Sequence, residues 1–298
     1  MKNIHIKKFL MAAAVALPVA TISGQASAIT VTQDTVAANL VSALLAGTPG
    51  LTVTGSSLSS QTSGGAASSG TYTNGSGTYG IGSGIILSSG NVSAYGDGAN
   101  TATGTTTNFG VSATASQEAL LDPITGGSLN HNDVTHLDLT FDVGAGISRV
   151  FFNVVFGSEE YAEWVGSQYI DAFGIYLNGV NIATFAGNPV NIDHPNMAFI
   201  GGTELDGILD PTAGSGDPIM LFEGVVGAGS TGNTLTFIIA DSGDDSLDST
   251  VYIEGFGTAN PGGGTTGGGQ TQIPEPGALA LFGLGLAGLG IVRRRRAA

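Results

Sequence analysis

The chain has 298 residues, 23 Asp and Glu against 8 Lys and Arg, and a formal net charge of −15. That balance excludes a phosphate backbone or an anionic lipid surface as a partner, because like charges repel. Cysteine is absent, so no disulfide framework exists and the fold must rest on its core and on whatever neutralises its acids.

Residues 1–28 open with Lys2, Lys7 and Lys8, continue through the apolar run Phe9–Ala20 and end in Ala26-Ser27-Ala28. These are the three regions of a secretory signal peptide. Thr35–Leu45 places Val36, Leu40, Val41, Leu44 and Leu45 at helical spacing and predicts one short N-terminal helix, capped by Thr32 or Asp34 and ended by Gly47. Leu51–Thr54 reads as a strand, Gly55–Gly84 as short strands and turns, and Gly84–Gly90 as a buried strand. Asn91–Ala115 is small and polar and predicts an extended, mobile surface loop. Gln117–Leu121 predicts a single helical turn before Asp122-Pro123.

Val134–Val143 alternates apolar and polar residues, the pattern of a half-buried antiparallel strand. Further strands are predicted at 149–156, 172–178, 181–185, 189–193, 198–200, 219–222, 235–240 and 250–257. Asn178-Gly179 is a hairpin signal. This density of short strands predicts a mostly β domain over 29–260, a two-sheet antiparallel β-sandwich, jelly-roll-like. Pro261–Gln272 reads as a flexible Gly/Thr linker.

The last 26 residues, 273–298, hold Pro274-Glu275-Pro276, sixteen uncharged residues from Gly277 to Val292, and Arg293–Arg296. As a helix the apolar run spans about 24 Å, the short end for a membrane crossing, with the arginines held on the cytoplasmic side. This layout resembles the PEP-CTERM sorting signal of Gram-negative bacteria. The resemblance implies a transient inner-membrane helix and recognition by an exosortase, followed by passage to the cell surface or extracellular matrix. A plain C-terminal anchor is the simpler alternative.

Between the two signals, residues 29–272 contain Arg149 as their one basic residue against 22 acids, a net charge of −21. Two acidic clusters stand out. Glu159, Glu160, Glu163 and Asp171 surround Trp164 between two strands, and Asp241, Asp244, Asp245 and Asp248 follow a third. With no Lys or Arg to pair with, such carboxylates need solvent or a metal ion. We read Glu159, Glu160, Asp171, Asp241, Asp244 and Asp248 as oxygen ligands for Ca²⁺. The plainer reading for both clusters is a solvated loop. Leu235 and Phe237 share one strand face, which places the Asp241 run in a loop rather than a strand.

The order Gly84–Gly90, Leu137–Asp142, Phe156-Gly-Ser-Glu-Glu-Tyr161, Asp171–Leu177 and Ile239–Glu254 resembles the choice-of-anchor L domain, from about Thr32 to Gly257. That resemblance implies one exported domain on a bacterial surface and no established activity or ligand. Trp164 and Tyr169 suit contact with a glycan. Beside Glu159 or Glu160 they also admit a glycoside hydrolase-like site. His131, His136 and His194 follow no zinc motif and read as surface residues, and no nucleophile elbow or P-loop is present. The expectation is therefore an exported, non-enzymatic surface or matrix protein with a structural or adhesive role, stabilised by Ca²⁺. Exopolysaccharide or other surface proteins would be its partners. A carbohydrate-binding or carbohydrate-active module is the alternative.

Overall fold

The computed structural model describes residues 29–45, 48–96, 104–127, 129–201, 203–212, 214–261 and 265–266. The signal peptide and the sorting signal lie outside these. Among the described residues the principal elements are, in chain order, β1 (Ile29–Gln33), α1 (Ala37–Leu45), β2 (Leu51–Ser59), β3 (Ser69–Asn74), β4 (Gly84–Ser88), α2 (Ala115–Thr125), β5 (His131–Val143), β6 (Arg149–Ser158), β7 (Ala172–Leu177), β8 (Asn188–Asn191), β9 (Gly207–Leu209), β10 (Met220–Val225), β11 (Asn233–Ser242) and β12 (Ser249–Gly257).

The strands form the expected two-sheet antiparallel sandwich. One sheet runs β1-β3-β4-β12-β6, with β9 and β10 sharing the far edge of β6. The other runs β2-β5-β11-β7-β8, with Thr184–Phe185 beyond β8. Alternation decides which side chains meet between the sheets. Leu137, Leu139 and Phe141 of β5, Leu235 and Phe237 of β11, and Phe152, Val154 and Phe156 of β6 all enter one core. Phe152 stacks on Phe256 and meets Phe237 edge-on, at centroid distances of 5.2 and 5.5 Å. Each such side chain removed from water contributes about 1.5–3 kcal/mol, which lets the sandwich stand without disulfides.

Helix α1 closes one side of this core with Leu40, Val41 and Leu44. Its entry is fixed by Asp34, whose carboxylate accepts from the Val36 amide at 2.8 Å and from Asn39 at 2.8 Å. The Asn178-Gly179 hairpin forms as expected, with φ of 50° and 79° and Leu177 paired to Val180.

Several expectations need correction. A second helix, α2, replaces the single predicted turn. A capping box between Thr114 and Gln117 starts it. Leu121 and Ile124 then bury against Val134, Tyr176 and Ile238 on the outer face of the β5 sheet. That burial carries the helix through Pro123 despite the lost amide donor. Strands β1 and β9 were not predicted; both are short and lie toward the edges of their sheet, where the alternation signal is weakest. The Asp241 run is also not wholly a loop, since β11 continues to Ser242. The register shifts where Ile239 faces Thr135 and Asp241 faces Asn132. The extra residue therefore lies in β5, around Asp133 with its φ of 49°, and β11 keeps its alternation.

Candidate metal centre

Two connectors cross between the sheets at the same end of the sandwich. Residues 159–171 leave β6 in one sheet and enter β7 in the other. Residues 243–248 leave β11 and return to β12. Because β6 pairs with β12 through Ser158 and Ser249, and β7 with β11 through Ala172 and Ala240, the acidic segments must meet. They do so through Glu159, whose amide donates to the Asp248 carbonyl at 3.1 Å, and through Asp171. The Asp171 carboxylate accepts from the Ser242 amide at 3.0 Å and from the Ser249 hydroxyl at 2.8 Å.

The inward-facing rows explain why this end is polar. Leu177, Ile175 and Phe173 of β7 are followed one step further by Asp171. Leu235, Phe237 and Ile239 of β11 lead to Asp241, and Phe156 of β6 leads to Ser158. Each strand continues its core alternation past the last apolar residue into Asp or Ser. Asp171, Asp241 and Asp248 are 0 % exposed, Glu160 1 % and Glu159 2 %. A solvated loop does not describe them.

The segment 105–111 lies over this end. Thr105 and Thr107 donate backbone amides to Glu159 at 3.2 Å and Asp248 at 2.9 Å. Phe109 and Val111 donate theirs to Asp133 at 2.7 and 2.8 Å. The described part of the predicted mobile loop is thus clamped by carboxylates. Close packing beneath it is enforced at Gly90, where an added Cβ would come within 1.6 Å of Asp248 Oδ2.

Among the described residues, several buried oxygens have no hydrogen-bond partner: both oxygens of Asp241, Asp248 Oδ2, Glu159 Oε1, Glu160 Oε2, Ser242 Oγ and Tyr95 Oη. Asp133 shows the contrast, for its two oxygens are filled by amides of the 109–111 segment. Burial pushes the Glu160 carboxyl up to about 9, helped by Asp171 and Asp244. It pushes Glu159 and Asp171 to about 8 and Asp248 to about 6, against the hydrogen bonds they accept. Asp241 is raised well above the usual carboxylate range by burial, then by Asp171 and Asp248. Each anion is costly where it stands without a counter-charge. The donors are all hard oxygens, the set Ca²⁺ takes six to eight of at about 2.3–2.6 Å.

Of the predicted ligands, Glu159, Glu160, Asp171, Asp241 and Asp248 converge, while Asp244 is half-buried at the rim. Glu163 is exposed. Sequence reasoning missed Tyr95 and Ser242, which carry no motif. It also missed the amide donors of 105–111, because no side-chain pattern announces them.

Trp164 is 41 % exposed and meets Tyr169 edge-on at 5.1 Å, and its amide donates to the Glu160 carbonyl. The histidines need correction: His131 and His194 are buried. His131 bonds Glu118 at 2.5 Å through Nδ1 and faces the Thr125 hydroxyl at 3.2 Å through Nε2. His131, Glu118 and Asp122 are the one trio among the described residues whose ligating atoms all lie within 4.8 Å of one another. Both His131 nitrogens already have partners there, so that trio is held together by hydrogen bonds.

The sequence profile of the PEP-CTERM protein-sorting motif matches residues 272–296, which marks an exported protein recognised by an exosortase. Among the described residues no helix is long and apolar enough to cross a membrane, and Gly277–Val292 lies outside them. No curated protein matches the chain. The profile of the choice-of-anchor L domain matches residues 28–206. It stops short of the expected Gly257, although β11 and β12 are central strands of the same two sheets. Neither family is enzymatic. With more than half of its length matched, the chain belongs to the choice-of-anchor L domain family.

Proposed function

We propose that this exported, exosortase-sorted surface protein is a structural or adhesive module whose acidic end is closed by Ca²⁺. The carrying observation is the set of buried carboxylate oxygens without hydrogen-bond partners where the two connectors meet. A cation there would tie β6, β7, β11 and β12 together and hold the 105–111 segment in place. Burial of Glu159 and Glu160 argues against their use as a glycosidase acid pair, since such a pair must flank a substrate. The test is on cells that display the chain at their surface or in their exopolysaccharide. Cohesion should fall in EDTA and return with Ca²⁺ but not with Mg²⁺. Unchanged cohesion in a strain lacking the chain overturns the adhesive role.

One observation favours a second reading. The exposed Trp164 against Tyr169 presents ring faces and edges of the kind that stack on sugars. A soluble polysaccharide that raises the melting temperature, and fails to do so after Trp164→Ala, supports a glycan-binding module; no shift removes it.

A further inference from the structure

The buried acids fall into two groups. Asp241 faces Asp171 and Asp248, and Glu159 faces Asp248. The Tyr95 phenol lies in the field of Asp248, Glu159 and Asp241. Glu160 instead faces Asp171 and Asp244. Asp171 alone neighbours both groups. Each group carries its own buried oxygens without hydrogen-bond partners, both of Asp241 in the first and Glu160 Oε2 in the second.

Geometry and charge both argue against one ion gathering them all. Two oxygens bound to one Ca²⁺ at about 2.4 Å lie at most about 4.8 Å apart. Among the described residues the only trio of acidic or histidine side chains that meets this spacing is Glu118, Asp122 and His131, away from this end. At most two of these acids, with neutral oxygens such as Ser242 Oγ or Tyr95 Oη, therefore fit around any one centre. Five buried carboxylates also carry five negative charges. The sole basic side chain of residues 29–272, Arg149, is paired with Glu223 at the opposite end of β6. One divalent ion leaves three charges uncompensated in a buried site, and two leave one.

Resting on the calcium reading above, we infer that the acidic end binds two divalent cations, one between Asp241, Asp248 and Glu159, the other between Glu160 and Asp244, with Asp171 bridging them. Asp171 can bridge while keeping its bonds to Ser242 and Ser249, because each carboxylate oxygen has a second lone pair.

Equilibrium dialysis of the EDTA-stripped exported protein against radiolabelled Ca²⁺ counts the ions directly. Two per chain is the expected result, falling to one in Glu160→Gln and to one in Asp241→Asn. Terbium emission excited through tryptophan should vanish in Glu160→Gln, whose site adjoins Trp164, and persist in Asp241→Asn. One ion per wild-type chain overturns the pair and leaves the calcium reading standing. No bound calcium overturns both. The wild-type count decides even if a variant fails to fold.

Discussion

The two ends of this sandwich solve the same closure problem with different chemistry. At the far end, residues 144–148 and 226–232 also cross between the sheets, and backbone bonds close them. Val143 donates to Ser230, Gly144 to Gly50, Val226 to Ser148 and Gly229 to Gly144, all within 3.2 Å. Its one ion pair, Arg149 with Glu223, sits partly in solvent. The acidic end has peptide groups available for the same purpose, yet it points buried carboxylates inward. Closing the fold does not require such acids, so their presence is best explained by something that binds them.

The sharpest way to break that comparison is to remove one buried charge. In Ca²⁺, Asp241→Asn should cost about 3–5 kcal/mol, as when one partner of a buried ionic network is lost. In EDTA the same change should stabilise by about 1–4 kcal/mol, because it deletes an uncompensated anion. Denaturant melts in the two buffers check the inversion of sign. Destabilisation in both buffers would assign Asp241 a purely structural role.

Proton linkage sharpens it next. Glu160, Glu159, Asp171 and Asp248 have folded-state pKa values raised to about 9, 8, 8 and 6, above the usual carboxylate values near 4. The folded state therefore binds more protons than the unfolded state across that window, and stability falls as pH rises. In EDTA, melting temperature should drop steadily from pH 5 to pH 9. Calcium affinity should climb over the same range, as protons and cation compete for the same oxygens.

Gly90→Ala, which drives a methyl group into Asp248, should cost about 1–3 kcal/mol by overpacking and weaken calcium binding. The smallest effect belongs to the other end. Glu223→Gln should cost about 0.2–1 kcal/mol, the range of an exposed pair, equally in Ca²⁺ and in EDTA. A calcium-dependent cost there would erase the distinction between the ends.

Much of this was legible in the sequence. Alternation in β5 gave its inward face, and the lack of Lys and Arg near the Glu159 and Asp241 clusters flagged both as unbalanced. Their meeting was not legible, because it depends on β6 pairing with β12 and β7 with β11, contacts between residues far apart in the chain. The burial of Asp241 was misread because alternation was stopped at the last apolar residue, whereas β11 carries it one step further into an acid. His131 was misread as exposed because its partners, Glu118 and Thr125, belong to a helix that Asp122-Pro123 appeared to forbid. Tyr95 could not be singled out, since its neighbours are brought to it by the fold alone.

The most direct measurement is thermal unfolding of the exported protein in EDTA, then with Ca²⁺, with Mg²⁺, and with monovalent salt at matched ionic strength. A specific rise with Ca²⁺ is expected, corresponding to about 2.7 kcal/mol at a hundredfold excess over the dissociation constant. No rise, or an equal rise with any salt, would contradict a cation site at the acidic end and leave its carboxylates as protonated, structural groups.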